Sequence, residues 1–247
     1  MPRSIHPFAL PVRALRARLG DLAEQLYPVD CLVCGGRVTG TVRLCGDCRG
    51  GLAAVGDARC PRCGRADSPA ESPCGACQKR SPRYVTVHAP WRYREPVAAW
   101  IRAFKYGNRL GLERTLADLA GEGLAEWLEA YGIDAMQAVP LHRRRLVERG
   151  FNQADRLARL LARGHGVAHL RRGLVRARPT PAQSALPERR RRANVRGAFA
   201  ADRRRVAGRR IALVDDVLTT GATVDAAADA LLEAGAAAVY VVAVARA

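Results

Sequence analysis

The sequence has no long apolar run and few aromatic residues. No stretch is apolar enough over a sufficient length to span a bilayer, which predicts a protein without membrane insertion. The first residues lack the continuous apolar core of a secretory signal, so we expect a cytoplasmic location. Aromatic residues make up 5% of the chain. So low a content argues against an extensive base-stacking platform for single-stranded nucleic acid.

Acidic residues are scarce in one segment, and the positive charge is concentrated there. Residues 142–210 contain 21 arginines, no lysine and four acidic residues, and they account for nearly all of the net charge of +18. The only lysines are Lys79 and Lys105. Frequent arginine and alanine can follow from a GC-rich genome, but that bias would not gather the excess in one segment. A local basic field suits a polyanion, either a pyrophosphate group or a nucleic acid backbone.

Cysteine is absent after position 77, and the eight cysteines before it form an internal repeat. They make four Cys-x-x-Cys pairs, and the second four repeat the first four at an offset of 29 residues: Cys31, Cys34, Cys45, Cys48, Cys60, Cys63, Cys74 and Cys77. Gly35 and Gly64 follow the first pair of each half, where a tight knuckle around a metal needs a glycine. The spacing therefore predicts a duplicated metal-binding module.

Three chemistries could use these cysteines. Disulfides do not suit a cytoplasmic chain, and an iron–sulfur cluster remains an alternative. The pattern favours two structural zinc sites, each with four cysteines. Sequential ligand sets, one per half of the repeat, follow from the duplication, although a cross-braced arrangement would use the same residues. With few large apolar side chains between the cysteines, metal should supply the folding energy of this segment.

Hydrophobic periodicity predicts alternating strands and helices over the rest of the chain, which is typical of a parallel α/β sheet. The predicted helices are 8–26, 96–106, 110–131, one that Asn152 caps, and one that starts near residue 224. The predicted strands are 84–93, 133–141, 211–214 and 237–244, with Pro90 marking an edge. Between 141 and 152 we expect a basic, glycine-containing loop at the carboxyl end of a strand, where such sheets bind anions.

Residues 211–223 are the most informative stretch. Four apolar residues predict a buried strand, and Asp215 and Asp216 follow directly. A turn rich in threonine and glycine then leads into a helix. Backbone N–H groups at the start of a helix bind a phosphate well, and the two carboxylates could accept hydrogen bonds from a sugar or help hold a divalent metal. The alternative is an ordinary turn between a strand and a helix. There, aspartate and threonine would serve only to cap the helix.

The whole run, an apolar strand, Asp-Asp, two residues and Thr-Thr-Gly-x-Thr, closely resembles the 5-phosphoribosyl-1-pyrophosphate (PRPP) motif of type I phosphoribosyltransferases. Val139-Pro140, Arg145 and Arg149-Gly150-Phe151-Asn152-Gln153 are similar to the signature of the ComF family, a branch of these enzymes linked to competence and DNA uptake. Phe104-Lys105-Tyr106, the pattern from Arg178 to Phe199 and the cysteine module before the transferase part carry the same resemblance.

The resemblance implies a type I phosphoribosyltransferase-like parallel sheet flanked by helices, preceded by a small duplicated zinc module with four cysteines per site. We expect an N-terminal helix over 1–27, a double zinc ribbon over 28–82 and the transferase domain over 83–247. Asp215 and Asp216 are the expected catalytic residues. The expected PRPP-binding residues are Asp215, Asp216, Val217, Leu218, Thr219, Thr220, Gly221, Ala222, Thr223, Lys105, Arg143, Arg145 and Arg149. A flexible hood over the pyrophosphate is expected to include Arg178, Thr180, Gln183, Arg191 and Asn194.

Two functions compete at this point. The first is transfer of phosphoribosyl from PRPP with Mg²⁺ to an unknown acceptor, with pyrophosphate release, in a pathway of DNA uptake or processing. The second is a non-catalytic accessory protein of natural transformation, which would bind single-stranded DNA through its zinc knuckles and arginine-rich loops. The partners expected are PRPP and its acceptor, with single-stranded DNA or DNA-uptake proteins as further candidates. The cofactors expected are two structural Zn²⁺ ions and the Mg²⁺ that accompanies PRPP.

Overall fold

The computed structural model describes residues 29–39, 42–106, 111–179 and 193–247. Its contacts divide the chain into two compact units, Met1–Gly51 and Leu52–Ala247. The helix predicted over 8–26 lies outside the described residues. Among the helices that are described, none combines the length and the apolar composition needed to cross a membrane.

The first unit contains half of the cysteine repeat. Its described elements are β1 (Val29–Asp30), β2 (Arg37–Val38) and the short helix α1 (Gly46–Gly50). Strands β1 and β2 pair antiparallel, with Val29 opposite Val38. No residue of α1 is buried, so this unit has little apolar packing of its own among the described residues.

The second unit holds the other half of the repeat and the main sheet. Its helices are α2 (Gly75–Lys79), α3 (Val97–Tyr106), α4 (Leu112–Ala120), α5 (Leu124–Ala130), α6 (Arg143–Arg149), α7 (Gln153–His165), α8 (Arg203–Val206) and α9 (Ala222–Glu233). Its strands are β3 (Val87–His88), β4 (Trp91–Arg92), β5 (Ala135–Ala138), β6 (Ala168–Leu170), β7 (Leu174–Arg176), β8 (Phe199–Ala201), β9 (Arg210–Leu218) and β10 (Ala238–Arg246).

The central sheet is parallel, as the alternating pattern predicts. Its strand order is β3-β10-β9-β5-β6, and β4 pairs with the far end of β10. Strand β9 lies between β10 and β5, with Ile211 paired to Val239 on one side and to Ala135 on the other. The β3–Pro90–β4 segment lies at one edge, as the proline predicts.

The core covers the strands on both faces, which explains their nearly continuous apolar sequences. Ile211, Leu213 and Val241 are fully buried, and Leu231 of α9 packs into the same cluster. Strand β9 is longer than the sequence predicts and continues through both aspartates to Leu218. The strand predicted over 133–141 is shorter and covers Ala135–Ala138.

The single helix predicted over 110–131 is wrong. The structure has two helices, α4 and α5, separated by residues 121–123. Gly123 has a φ of +67°, a left-handed conformation that glycine adopts without steric cost and that cannot continue a right-handed helix. The leucine periodicity runs through both helices because both pack on the core, and it therefore hides the break.

The loop predicted between residues 141 and 152 is also wrong in part. Residues Arg143–Arg149 form helix α6, whose first turn is capped by His142 through Nδ1, which accepts the Arg144 N–H at 3.3 Å. Gly150, with a φ of +81°, ends this helix. The predicted cap of the next helix is confirmed, since Asn152 Oδ1 accepts the Ala154 N–H at 3.1 Å.

Candidate functional site

The structure gathers the eight cysteines into two sequential groups of four, one from each half of the repeat. Within each group all four sulfur atoms lie within 4.8 Å of one another. The Sγ atoms of Cys34 and Cys45 are 3.9 Å apart, and those of Cys63 and Cys74, the equivalent pair, are 3.7 Å apart. Four sulfurs around zinc at the usual bond length of about 2.3 Å lie roughly 3.8 Å apart. The geometry therefore fits tetrahedral zinc and the sequential arrangement.

The backbone repeats the same knuckle in both groups. Cys31 N–H donates to Gly36 O at 2.8 Å, and Cys60 N–H donates to Arg65 O at 2.9 Å, 29 residues later. Gly35 and Gly64 adopt φ values of +72° and +64°. The prediction that these turns need glycine is thus confirmed in both halves.

The first cysteine of each group is prepared to be a thiolate, which is the form that binds zinc. Burial acts to raise the pKa of Cys31, but backbone hydrogen bonds outweigh it and lower the pKa to about 6. For Cys60 too, burial acts to raise the pKa, and backbone hydrogen bonds outweigh it and lower the pKa to about 6. Hydrogen bonds with neighbouring cysteines raise the pKa of Cys48, and burial raises the pKa of Cys63 and Cys77, so these thiols do not share this preference. The cysteine groups therefore fit zinc by distance and by backbone shape.

The two aspartates lie at the carboxyl end of β9 and meet a lysine from another element. Lys105, in the last turn of α3, places Nζ 2.8 Å from Oδ1 of Asp216. Asp216 is 3% exposed, and its Oδ2 is buried without a hydrogen-bond partner among the residues that the structure describes. Asp215 is partly exposed and accepts the Asp216 N–H at 2.9 Å through Oδ1. The site is thus a compact group of two carboxylates and one ammonium.

The charges of this group affect one another strongly. Burial raises the pKa of Asp215 to about 7, and the neighbouring Asp216 carboxylate adds to the rise while Lys105 opposes it. Burial acts to lower the pKa of Lys105, but Asp216 and then Asp215 outweigh that effect and raise it. Lys105 therefore stays charged at neutral pH, while the proton on Asp215 is finely balanced.

The predicted phosphate turn follows directly. Thr219 is exposed, Thr220 is half-buried, and Gly221, with a φ of +77°, precedes the first residue of α9. A Cβ atom on Gly221 would lie 3.0 Å from Tyr84 Oη. Thr220 Oγ1 accepts the Ala222 N–H at 3.4 Å. The turn leads into a twelve-residue helix, whose positive end favours an anion.

Basic side chains surround a cavity of about 560 Å³ beside Lys105. Its lining also holds one acidic residue, and in full it consists of Lys105, Tyr106, Arg145, Glu148, Arg149, Gly150, Phe151 and Arg156. The Arg149 guanidinium lies 4.9 Å from the centre of the Tyr106 ring and donates to Gln153 Oε1 at 2.7 Å. The structure therefore places Arg145, Arg149 and Lys105 on the lining of one cavity.

Arg143 lies elsewhere, on a second cavity of about 860 Å³. That cavity is lined by Arg143, Arg171, Arg172, Arg176, His142 and Phe151, among others. Thr219 to Thr223 line neither of these two cavities. The predicted arginines thus divide between two neighbouring basic surfaces.

The predicted hood is described only at its two ends. Thr180, Gln183 and Arg191 lie outside the described residues. Strands β7 and β8, which flank this segment, pair antiparallel. The Arg178 guanidinium donates to the carbonyl oxygens of Asn194 at 3.1 Å and Arg196 at 2.7 Å, which ties the two ends of the segment together.

Sequence reasoning missed three residues near the site. Burial, and then the charge of Arg145, lower the pKa of Arg176, while the Asp215 carboxylate opposes this effect. Tyr106 is 75% exposed beside Arg149. Arg246 is buried and donates a hydrogen bond to Thr219 O, at the start of the predicted phosphate turn. Arg246 could have been noticed as the one charged residue in an otherwise apolar strand.

Comparisons with known proteins agree with this architecture. The profile described as "Double zinc ribbon domain" matches residues 22–78, and the one described as "Phosphoribosyl transferase domain" matches residues 148–247. Competence protein F of Haemophilus influenzae is 32% identical over 199 residues, covering 73% of this chain and 87% of that protein. The chain belongs to the ComF family.

Other ComF relatives have similar coverage. The DNA utilization protein YhgH of Escherichia coli K12 is 35% identical over 188 residues, covering 74% of this chain and 81% of that protein. The competence protein ComFC of Streptococcus pneumoniae is 27% identical over 195 residues, covering 78% and 83%. This ComF protein therefore combines a double zinc ribbon with a phosphoribosyltransferase-type parallel sheet.

Proposed function

We propose that this ComF protein binds PRPP at residues 215–223 and transfers its phosphoribosyl group to an acceptor. The observation that carries the proposal is the group formed by Asp215, Asp216 and Lys105 at the carboxyl end of a central strand, directly before a threonine- and glycine-rich turn. This is the edge where parallel sheets bind ligands. The family's phosphoribosyltransferase domain supports the same choice of substrate.

Each part of the site has a task in this reaction. The turn and the start of α9 would bind the 5′-phosphate, while Asp215 and Asp216 would accept hydrogen bonds from the ribose hydroxyls. In the reaction the bond between ribose C1 and a pyrophosphate oxygen breaks, and pyrophosphate leaves with the electron pair. A bond from the acceptor's nucleophile to C1 forms, and the acceptor loses its proton. The two carboxylates favour the positive charge that develops on the ribose.

The basic residues stabilise the opposite charge. Lys105, Arg145 and Arg149 line one cavity beside the aspartates and would hold the leaving pyrophosphate. Such fixed charges need no reorganisation as the bond breaks, and in a closed site they act more strongly than in water. Arg143 lies on the neighbouring basic surface and would act from there.

The donor set also fits magnesium. Mg²⁺ usually binds one or two carboxylates together with substrate phosphates. Asp215 and Asp216 supply carboxylate oxygens, and one of these, Asp216 Oδ2, has no hydrogen-bond partner within the described part of the chain. When bound, the ion would neutralise the charge of the pyrophosphate as it leaves.

The proposal is tested by calorimetric titration of PRPP into the variant Asp215→Asn/Asp216→Asn. We expect this variant to lose Mg²⁺-dependent binding while its circular dichroism stays unchanged. A matched control is Glu126→Gln/Glu129→Gln, which removes the same charge from exposed positions of α5. Equal binding by the aspartate variant and the control would contradict the proposal.

A second candidate function is binding of single-stranded DNA through the basic surface. The cavity of about 860 Å³ presents several arginines, and residues 142–210 hold most of the net charge. The names of the relatives, competence protein and DNA utilization protein, agree with such a link. Affinity for DNA should then fall steeply with salt and be unaffected by Asp215→Asn/Asp216→Asn.

A further inference from the structure

Arg246 is the only charged residue of strand β10 and is buried there at 6% exposure. A buried guanidinium is costly unless its donors are paired. Its Nε donates to Cys63 O at 2.9 Å, and its Nη1 donates to Leu218 O at 3.0 Å and to Thr219 O at 2.6 Å. Nη1 also donates to Ala247 O. All of these acceptors are main-chain oxygen atoms, so the side chain joins separate stretches of backbone.

Arg246 joins the backbone of the second cysteine group to the backbone of the phosphate turn. Cys63 belongs to the second cysteine group, the tetrad Cys60, Cys63, Cys74 and Cys77. Leu218 and Thr219 end β9 and begin the phosphate turn. One rigid, planar guanidinium therefore connects a zinc-ligand backbone to the backbone that would bind the 5′-phosphate.

A second set of contacts, made by residues 83–86, also joins the second cysteine group to the phosphate turn. Thr86 Oγ1 donates to Pro61 O, inside the knuckle, at 2.7 Å. Tyr84 is 3% exposed, and its hydroxyl lies against Gly221 of the turn. Arg83 N–H donates to Asp225 Oδ1, in the first turn of α9, at 2.7 Å. The segment 83–86 thus lies between the second tetrad and both sides of the phosphate turn.

We propose that Arg246 is a positioning residue that makes the second tetrad a support for the PRPP turn, so that metal binding there and PRPP binding favour each other. The inference rests on the proposed function for its ligand. In this proposal neither Arg246 nor the second tetrad touches PRPP. They affect PRPP binding by fixing the position of residues 218–221. Because binding coupling is reciprocal, a metal that tightens PRPP binding must itself be held more tightly when PRPP is bound.

The repeat offers a matched control. Cys60→Ser/Cys63→Ser disables the second tetrad, and Cys31→Ser/Cys34→Ser makes the equivalent change in the first, 29 residues earlier. The first test needs no ligand: hydrogen exchange of the amides of residues 218–223 in the full chain, compared with the amides of β5. We expect the exchange rate in the turn to rise about tenfold in Cys60→Ser/Cys63→Ser and to stay unchanged in Cys31→Ser/Cys34→Ser. Exchange in β5 should stay unchanged in both variants. An equal response to both pairs, or to neither, would overturn the inference.

Arg246 is tested with all eight cysteines intact. We expect Arg246→Met to weaken PRPP binding about tenfold, within the usual range of coupling between sites, and Arg246→Lys to restore part of the loss. Saturating PRPP should slow the release of one of two zinc ions to a chelator in the wild type and of neither in Arg246→Met. Wild-type affinity in Arg246→Met, or equal slowing in the two proteins, would overturn the inference.

The two proposals fail in different ways. If wild-type protein does not bind PRPP, the proposed function is wrong. The exchange measurement in the absence of ligand then still decides whether the second tetrad supports the turn.

Discussion

The ammonium of Lys105 lies 2.8 Å from a carboxylate oxygen of Asp216, although Lys105 lies in the last turn of helix α3 and Asp216 lies in the central strand β9. The Asp216 side chain is 4% exposed and that of Lys105 is 21% exposed. The pair therefore brings opposite charges together in a largely dry environment beside Asp215. Both stability and ligand binding should depend on it.

Lys105→Met should destabilise the protein by about 3 kcal/mol, because breaking a buried ion pair leaves an uncompensated charge. Unfolding in urea at pH 7.5 measures this change in free energy. The only other lysine, Lys79, is exposed, so Lys79→Met is a control for loss of a lysine charge, with an expected effect within about 0.5 kcal/mol.

A second substitution separates the charge from the packing. Asp216→Asn in the Lys105→Met background should recover part of the lost stability, since it removes the unpaired charge. If the double variant is less stable than Lys105→Met, the ion pair is not the cause of the loss.

Asp215 should make stability depend on pH. Its pKa in the folded protein is raised to about 7, above the unfolded value of about 4, because burial and Asp216 disfavour its charge against the opposing effect of Lys105. The folded state then holds the proton more tightly, so this contribution to stability is complete below pH 4 and is lost as pH rises through 7. Asp215→Asn removes the dependence.

The measurement is the difference in unfolding free energy between Asp215→Asn and wild type at pH 6 and at pH 8. The wild type should lose stability between pH 6 and pH 8 through Asp215, and the variant should not. The unfolding free energy of the variant relative to wild type should therefore be higher at pH 8 than at pH 6. Taking the difference cancels the titration of other groups, including the cysteines. A difference that does not change with pH would show that Asp215 titrates normally.

Gly221→Ala should lower both stability and PRPP affinity. Alanine is strained at a φ of +77°, and its Cβ would lie 3.0 Å from Tyr84 Oη. We expect a loss of about 1 kcal/mol or more in unfolding free energy. Gly164→Ala is the control, since this glycine lies within α7 with open space around its Cβ position, and alanine there should be neutral or stabilising.

Metal analysis should find two zinc ions per chain. Cys31→Ser/Cys34→Ser and Cys60→Ser/Cys63→Ser should each reduce the content to one, because the tetrads are separate and sequential. A chelator that removes zinc should open the cysteine module to proteolysis, since metal supplies most of its folding energy. Iron in place of zinc, or one shared site, would contradict the assignment.

The sequence predicts most of the fold because the periodicity of its strands and helices is strong. The buried strand at 211–214, the cap at Asn152 and the cysteine repeat follow from local rules that act within a few residues. The break between α4 and α5 was missed because Gly121 and Gly123 stand within a pattern that both helices share. Helix α6 was missed because its arginines indicate solvent exposure but not backbone conformation.

The site is less predictable than the fold because its contacts join distant residues. The aspartates and the turn are adjacent in sequence, and the resemblance alone implied Lys105. Nothing local shows that Lys105 meets Asp216, or that Arg246 reaches both Cys63 and Thr219. Such relationships depend on strand order and on the register of β9 with β10, which single-residue patterns do not encode.

The central claim is that residues 215–223 form a working PRPP site. The most direct test is calorimetric titration of PRPP into the zinc-loaded wild-type protein in low salt, with and without Mg²⁺. We predict saturable binding at one site per chain that requires Mg²⁺. Absence of binding under both conditions would contradict the account and favour a protein that keeps this fold to bind DNA.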